Sequence, residues 1–135
     1  MLKLTLFLMV FLLLANICLV TVEDWIPTMA ESMIFHFLGG FLAAMLVFSL
    51  YHNEFAKLSQ PIRLLTIMAM TLMIGVFWEF TEYTASVILS GPIYNHYHTY
   101  LYFIGDLNDT LQDLAMDGFG ALGFLIVWFG FKSKN

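Results

Sequence analysis

The chain has 135 residues and a formal net charge of −5 at pH 7, and 61% of its residues are hydrophobic while only 11% are charged. Soluble globular domains carry about 25% charged residues, so this composition and a mean hydropathy of +0.85 exclude that class and predict an integral membrane protein. The absence of a basic patch excludes nucleic-acid binding, and the single cysteine, Cys18, excludes an intramolecular disulfide.

Four apolar segments follow one another, each near the roughly 20 residues that a helix needs to cross a bilayer. They predict an all-α, polytopic membrane protein in which residues 1–135 form one domain, a four-transmembrane-helix bundle. The first segment is also compatible with a signal peptide, but no small-x-small cleavage site follows it, which favours a retained helix. The predicted helices cover about residues 3–20, 33–51, 62–89 and 107–131, with Pro27, Pro61 and Pro92 between them.

Positive charge alternates between the predicted loops. Lys3 lies at the N-terminus, Lys57 and Arg63 lie around the second loop, and Lys132 and Lys134 lie at the C-terminus. The first and third loops contain no lysine or arginine. Because lysine and arginine collect in the cytoplasmic loops of membrane proteins, this pattern predicts that both termini are cytoplasmic, an N-in/C-in topology.

Six acidic residues lie in or near the outer half of the predicted bundle, where a carboxylate is costly and usually functional. At about 100° per residue, the four aspartates of the fourth helix fall within one narrow arc. On the second helix, His36 lies on the side of Gly39 and Gly40, small residues that let helices approach closely. We therefore expect three helices to direct these side chains into one site. The acids are Glu79, Glu82, Asp106, Asp109, Asp113 and Asp117.

Bound protons or a bound cation must offset these acids, because every lysine and arginine lies at the other end of the predicted bundle. Carboxylates with an imidazole suit Mg²⁺, Ca²⁺ or Mn²⁺, and Zn²⁺ or iron where nitrogen donors dominate. We predict a divalent cation held by four side chains, with His36 as a ligand or a base. Glu79 and Asp109 are predicted to assist catalysis by orienting the ligands. The predicted ligands are His36, Glu82, Asp113 and Asp117.

Each of these residues also has a structural interpretation. Protonated acids can join helices by hydrogen bonds, and His36 taken alone is typical of a packed, hydrogen-bonded histidine. Asp106 and Asp109 also fit the N-cap and the first turn of the fourth helix, where the helix dipole favours negative charge.

Three motifs, "HFLGG", "FWEFTEY" and "GDLNDTLQDLAMDGFGALG", resemble those of a known family. They resemble the YjdF-type family of inner-membrane proteins and, more loosely, the VanZ-like proteins, over about residues 32–125. The resemblance implies a multi-pass protein of a bacterial inner membrane, with a site built from His36, Glu79 or Glu82, and the aspartates of the last motif. The family often has an aspartate one turn before the histidine, where this chain has Ser32. VanZ-like proteins are linked to glycopeptide resistance and the cell envelope, which names no reaction.

Three functions stay open on the sequence. The first is cation-dependent action on an envelope lipid or lipid-linked substrate, at a site open to the extracytoplasmic side of the bilayer; the residues do not decide whether this is catalysis. The second is proton- or cation-coupled transport, for which four helices would need to form a homo-oligomer. The third is an accessory subunit in which the acids only hold helices together.

Overall fold

The computed structural model describes residues 1–21, 29–97 and 106–132, and these residues contain helices and no strand. Three helical stretches are long and apolar enough to cross a membrane, Glu31–Leu50, Gln60–His96 and Leu107–Gly130, whereas the apolar stretch of the first helix, Leu2–Cys18, is shorter. The all-helical, membrane-spanning class is thus confirmed. A fourth crossing and the N-in/C-in orientation stay predictions, and the loops 22–28 and 98–105 that bear on them lie outside the described residues. The helices are α1 (Leu2–Thr21), α2 (Met29–Leu50), α3 (His52–Phe55), α4 (Gln60–Tyr97) and α5 (Leu107–Lys132).

Helix α4 is longer than the sequence predicts. It ends at Tyr97 rather than near Leu89, and Pro92 lies inside it. Proline removes one intrahelical hydrogen bond and favours a helix end, which is why the prediction placed Pro92 between segments. Membrane helices nevertheless tolerate proline, since neighbouring groups can satisfy the freed carbonyl. The single turn α3 is likewise absent from the prediction, because four residues are too few to produce a periodic pattern.

Helices α2 and α5 form the most extensive helix pair of the bundle. Glycines allow this approach: a Cβ added to Gly40 would lie 2.6 Å from the Asp117 Cα, and one added to Gly120 would lie 2.7 Å from the Phe41 nitrogen. In a membrane, helices associate through close packing rather than through the hydrophobic effect, so small residues at the crossing are stabilising. These glycines fix the distance between the helix that carries His36 and the helix that carries the aspartates.

An aromatic core fills the end of the bundle remote from His36. The Phe48 ring centroid lies 5.1 Å from that of Trp128 and 5.9 Å from that of Phe124, and Ile67 and Ala121 are fully buried beside them. Large apolar side chains cover the outside of the helices, as expected of surfaces that contact lipid. Examples are Phe7, Phe11, Leu65, Phe77, Phe80 and Ile126.

Candidate functional site

His36 lies in the second turn of α2 and is 8% exposed. Its Nε2 atom lies 3.6 Å from Asp113 Oδ2 and 3.9 Å from Glu79 Oε1. On the other side of the ring, Nδ1 lies 3.5 Å from Asp117 Oδ1. One buried imidazole thus stands between three carboxyl groups from two other helices.

The aspartates reach the histidine because of their spacing on α5. Asp113 and Asp117 are four residues apart, which places both on one face of a helix, and they are 4% and 5% exposed. The Ser32 hydroxyl, one turn before His36 on α2, donates a 2.9 Å hydrogen bond to Asp113 Oδ1. That bond fixes one carboxylate oxygen and leaves the other, Oδ2, directed at the histidine.

Glycines also position Asp117. The Asp117 backbone packs against Gly40 of α2, and its carboxylate packs against Gly75 of α4, where an added Cβ would lie 3.2 Å from the carboxylate carbon. Asp117 is therefore confined from two sides by positions that accept no side chain without movement. This confinement directs the Asp117 carboxylate towards His36.

Glu79 supplies the third carboxylate, from α4. It is 7% exposed, and among the described residues neither of its carboxylate oxygens has a hydrogen-bond partner within 3.5 Å, its polar neighbours being Thr110 and His36. Buried polar groups are almost always hydrogen-bonded, and an unsatisfied one costs about 1–3 kcal/mol or more if it is charged. The orphaned Glu79 carboxylate is therefore the feature of this site that most needs a binding partner.

The charges of this group do not balance. Three carboxyl groups surround a single imidazole. Within the described residues, Lys57 pairs with Glu54 at 2.8 Å, but this ion pair lies on the exposed surface. Arg63 lies in the first turn of α4, several turns before Glu79, and its guanidinium donates to the Leu58 carbonyl oxygen and covers the Phe129 ring. Protons or a cation must therefore neutralise the excess of acids.

Three of these residues meet the geometric requirement of a metal site. One ligand atom each from His36, Glu79 and Asp113 lies within 4.8 Å of the other two, and all three residues are buried. An imidazole with two carboxylates suits Mn²⁺, Fe²⁺ or Zn²⁺, and the carboxylates alone suit Mg²⁺. These three side chains form a group that could hold a metal ion.

The structure brings together four of the predicted site residues and leaves two at the margin. His36, Glu79, Asp113 and Asp117 are in mutual proximity. Glu82 is half-buried on the next turn of α4 and is not in the group of three. The predicted ligand set contains Glu82, with Glu79 as an orienting residue. In the structure it is Glu79, and not Glu82, that is grouped with His36 and Asp113. Every role in this set stays a prediction.

Asp106 and Asp109 lie at the N-terminal end of α5, before Asp113. Asp106 Oδ1 accepts hydrogen bonds from the backbone nitrogens of Asn108, at 2.9 Å, and Asp109, at 3.0 Å. Asp106 is thus the N-cap of α5, as its structural interpretation requires. Asp109 is half-buried in the first turn of α5, one turn before Asp113, and its predicted orienting part stays a prediction.

Sequence reasoning overlooked two polar contributors to this region. In the sequence, Ser32 is notable only as the residue where the family often has an aspartate, whereas in the structure its hydroxyl donates a hydrogen bond to Asp113. Asn16 of α1 lines a cavity together with His36 and Asp117. A signal for Asn16 exists in the sequence, because it is the amide in the otherwise apolar run "FLLLANICLV".

A helical membrane protein with a buried histidine–carboxylate cluster between three helices is the class that this fold and site define. A family model described as "Predicted membrane protein (DUF2238)" matches residues 2–134. The chain therefore belongs to this family, which confirms the membrane-protein part of the resemblance; the likeness to VanZ-like proteins stays a prediction. No curated protein and no solved structure matches the chain.

Proposed function

We propose that this protein is a multi-pass membrane protein that binds a divalent cation at His36, Glu79 and Asp113, and that the cation acts on a lipid or lipid-linked substrate. The observation that carries the proposal is the buried Glu79 carboxylate, which has no hydrogen-bond partner among the described residues and lies beside two other ligand-type side chains. A cation would satisfy Glu79 and offset the excess of acids in one step.

The two ring nitrogens of His36 face different carboxyl groups, which supports a different role for each nitrogen. Nε2 faces Glu79 and Asp113, whereas Nδ1 faces Asp117. Metal-binding histidines commonly donate their second ring N–H to a carboxylate, which fixes the tautomer and the ring orientation. In this proposal, Asp117 accepts the Nδ1 proton and leaves the Nε2 lone pair free for the cation.

A cation at this position could polarise a phosphoryl or carbonyl oxygen of a substrate or activate a bound water. The site lies within the membrane-spanning part of α2, α4 and α5, so a substrate that reaches it from the bilayer must itself be a lipid or carry a lipid. The proposal includes a bacterial inner membrane as the location, which the family resemblance supports, and a site towards the extracytoplasmic side, which the distribution of lysine and arginine supports.

Elemental analysis of the full-length protein, purified in mild detergent without chelator, tests the cation. We expect near-stoichiometric metal in the wild type and loss of it in Glu79→Gln and in the double variant Asp113→Asn/Asp117→Asn. Glu54→Gln removes an exposed carboxylate and serves as the matched control, which should keep the metal. Helical circular dichroism and size-exclusion profiles identify any variant that fails to fold.

Glu82→Gln decides between the two candidate ligand sets. With Glu79 as the ligand, Glu82→Gln retains the metal; with Glu82 as the ligand, the Glu82 variant loses it and Glu79→Gln does not. Absence of metal from the wild-type protein, even after incubation with Mg²⁺, Mn²⁺, Zn²⁺ and Fe²⁺, would refute the proposal. Proton flux in liposomes would then be the measurement to make.

A further inference from the structure

A cavity of about 260 Å³ adjoins the histidine–carboxylate cluster. Its walls come from α1, α2 and α4 together with Asp117 of α5, and its surface is mainly apolar. Binding pockets for small molecules commonly measure roughly 300–1,000 Å³ and combine apolar walls with a few convergent polar groups. This cavity has that character but is too small for a whole lipid, so it suits one hydrocarbon chain.

The polarity of the cavity changes along its length. Among its lining residues, His36 and Asp117 lie 3.5 Å apart at their side chains, and the apolar residue Ala43 lies two turns further along α2. The seven residues from His36 to Ala43 on α2 correspond to about 10 Å along the helix. Thr71, which lines the apolar end, donates its hydroxyl hydrogen to the Ile67 carbonyl oxygen at 2.9 Å and so requires no further acceptor. An amphiphile with its polar group at the cluster matches this gradient.

The arrangement of α1 leaves the cavity accessible from the bilayer. Helix α1 packs mainly against α2, whereas α4 packs against α2 and α5. The cavity therefore lies in the gap between α1 and α4, both of which carry exposed apolar side chains, Phe11 and Phe77 among them. Water is a poor occupant of the apolar part of this cavity because apolar cavities stay dry, and the solvent at the mouth of this gap is hydrocarbon.

We propose that this cavity seats one acyl chain of a bilayer phospholipid, with the phospholipid head group directed to the His36–Asp117 end. The inference deepens the proposed function because it names the class of molecule that the cation site would meet. It rests on that function only for the interaction of the head group with the cation. The chain-binding part depends on the cavity alone.

Two adjacent leucines of α1 provide a matched pair of variants. Leu13 lines the cavity, whereas Leu14 is more exposed, at 59% against 41%, and does not line it. Leu13→Trp would fill the cavity with an indole ring, and Leu14→Trp would place the same ring in lipid. Since both leucines are already exposed on one helix, neither change disturbs the buried core, and α-helical content checks that both variants fold.

Photo-crosslinking measures the occupant. Full-length protein is reconstituted in vesicles of phosphatidylethanolamine and phosphatidylglycerol that contain a phospholipid with a diazirine midway along one acyl chain. Peptide mass spectrometry then locates the adducts. We expect adducts at cavity-lining residues such as Met9, Ala43 and Ile74 in the wild type and in Leu14→Trp, and loss of these adducts in Leu13→Trp. Adducts on the lipid-facing residue Ile126 of α5 should be equal in all three proteins.

Cavity adducts that are absent from the wild type, or that persist unchanged in Leu13→Trp, would overturn the inference. Cavity labelling by a polyprenyl phosphate probe in place of the phospholipid probe would overturn it too. Glu79→Gln separates the two proposals, because cavity adducts should survive in this variant even though its metal is lost. If the wild type binds metal but gives no cavity adducts, the proposed function stands and this inference is refuted. If it gives cavity adducts but binds no metal, the binding of the acyl chain stands and the proposed function is refuted.

Discussion

Replacing Gly120 with alanine tests whether the close crossing of α2 and α5 builds the site. The new Cβ would lie 2.7 Å from the Phe41 nitrogen and closer still to the Phe37 carbonyl oxygen, whereas ordinary contacts begin near 3.4 Å. Both obstacles are backbone atoms, so no rotation of a side chain can relieve the clash. The two helices must move apart.

The cost follows from a comparison with Gly118 on the same helix. A Cβ at Gly118 would lie 3.6 Å from its nearest neighbour, the Leu72 Cδ2, which is an ordinary contact. Both substitutions gain about 1 kcal/mol of helix propensity, so the difference between them isolates the clash. Overpacking of this kind costs about 1–3 kcal/mol. We expect Gly120→Ala to be less stable than Gly118→Ala by that amount.

Reversible unfolding by sodium dodecyl sulfate in mixed micelles, followed by far-ultraviolet circular dichroism, gives the free energy of unfolding of each variant. Because the crossing also positions Asp117 against Gly40 and His36, Gly120→Ala should bind Mn²⁺ more weakly as well. Equal stability of Gly120→Ala and Gly118→Ala, with equal Mn²⁺ affinity, would refute the argument that this contact sets the geometry of the site.

Three further substitutions test individual parts of the site. Gly75→Ala should push the Asp117 carboxylate away from the histidine and weaken Mn²⁺ binding about 10–100-fold, the usual cost of disturbing a ligand-orienting group. Gly39→Ala is the control and should bind Mn²⁺ normally, because its Cβ would lie 3.9 Å from the same carboxylate. Equal affinities of the two variants in a Mn²⁺ titration would contradict this. Asp106→Ala should lower the free energy of unfolding by about 1 kcal/mol through loss of the N-cap, and Asp106→Asn should restore it; a loss of metal in Asp106→Ala with unchanged stability would be the opposite result. Ser32→Ala removes the hydroxyl that holds Asp113 and should destabilise the protein by about 1 kcal/mol, and an unfolding curve that matches the wild type would argue against that hydrogen bond.

The sequence predicts much of the site because its signals are local to each helix. The i, i+4 spacing of Asp113 and Asp117 places them on one face whatever the tertiary structure, and the small residues near His36 indicate which side of α2 packs. In the structure, Asp113 and Asp117 lie on one face of α5, and that face packs against the side of α2 that carries His36. The N-cap interpretation of Asp106 also depends only on local geometry, and it is confirmed by the two hydrogen bonds that Asp106 accepts.

The choice between Glu79 and Glu82 depends on tertiary structure. Both glutamates lie on the same side of α4, three residues apart. The close packing of Gly75 against Asp117 sets the rotation and depth of α4, which brings Glu79 rather than Glu82 into the group with His36 and Asp113. Hydropathy and periodicity carry no information on that contact. The same holds for the cavity, which exists because of where α1 packs.

In the proposed site, the Nε2 atom of His36 coordinates the cation. Pulsed electron paramagnetic resonance of Mn²⁺ bound to the full-length protein detects a directly coordinated nitrogen. His52→Gln, which removes an exposed histidine at the start of α3, is the matched control for His36→Gln. We expect a nitrogen coupling in the wild type and in His52→Gln, and its loss in His36→Gln. A bound Mn²⁺ without nitrogen coupling, or a coupling that survives in His36→Gln, would contradict it.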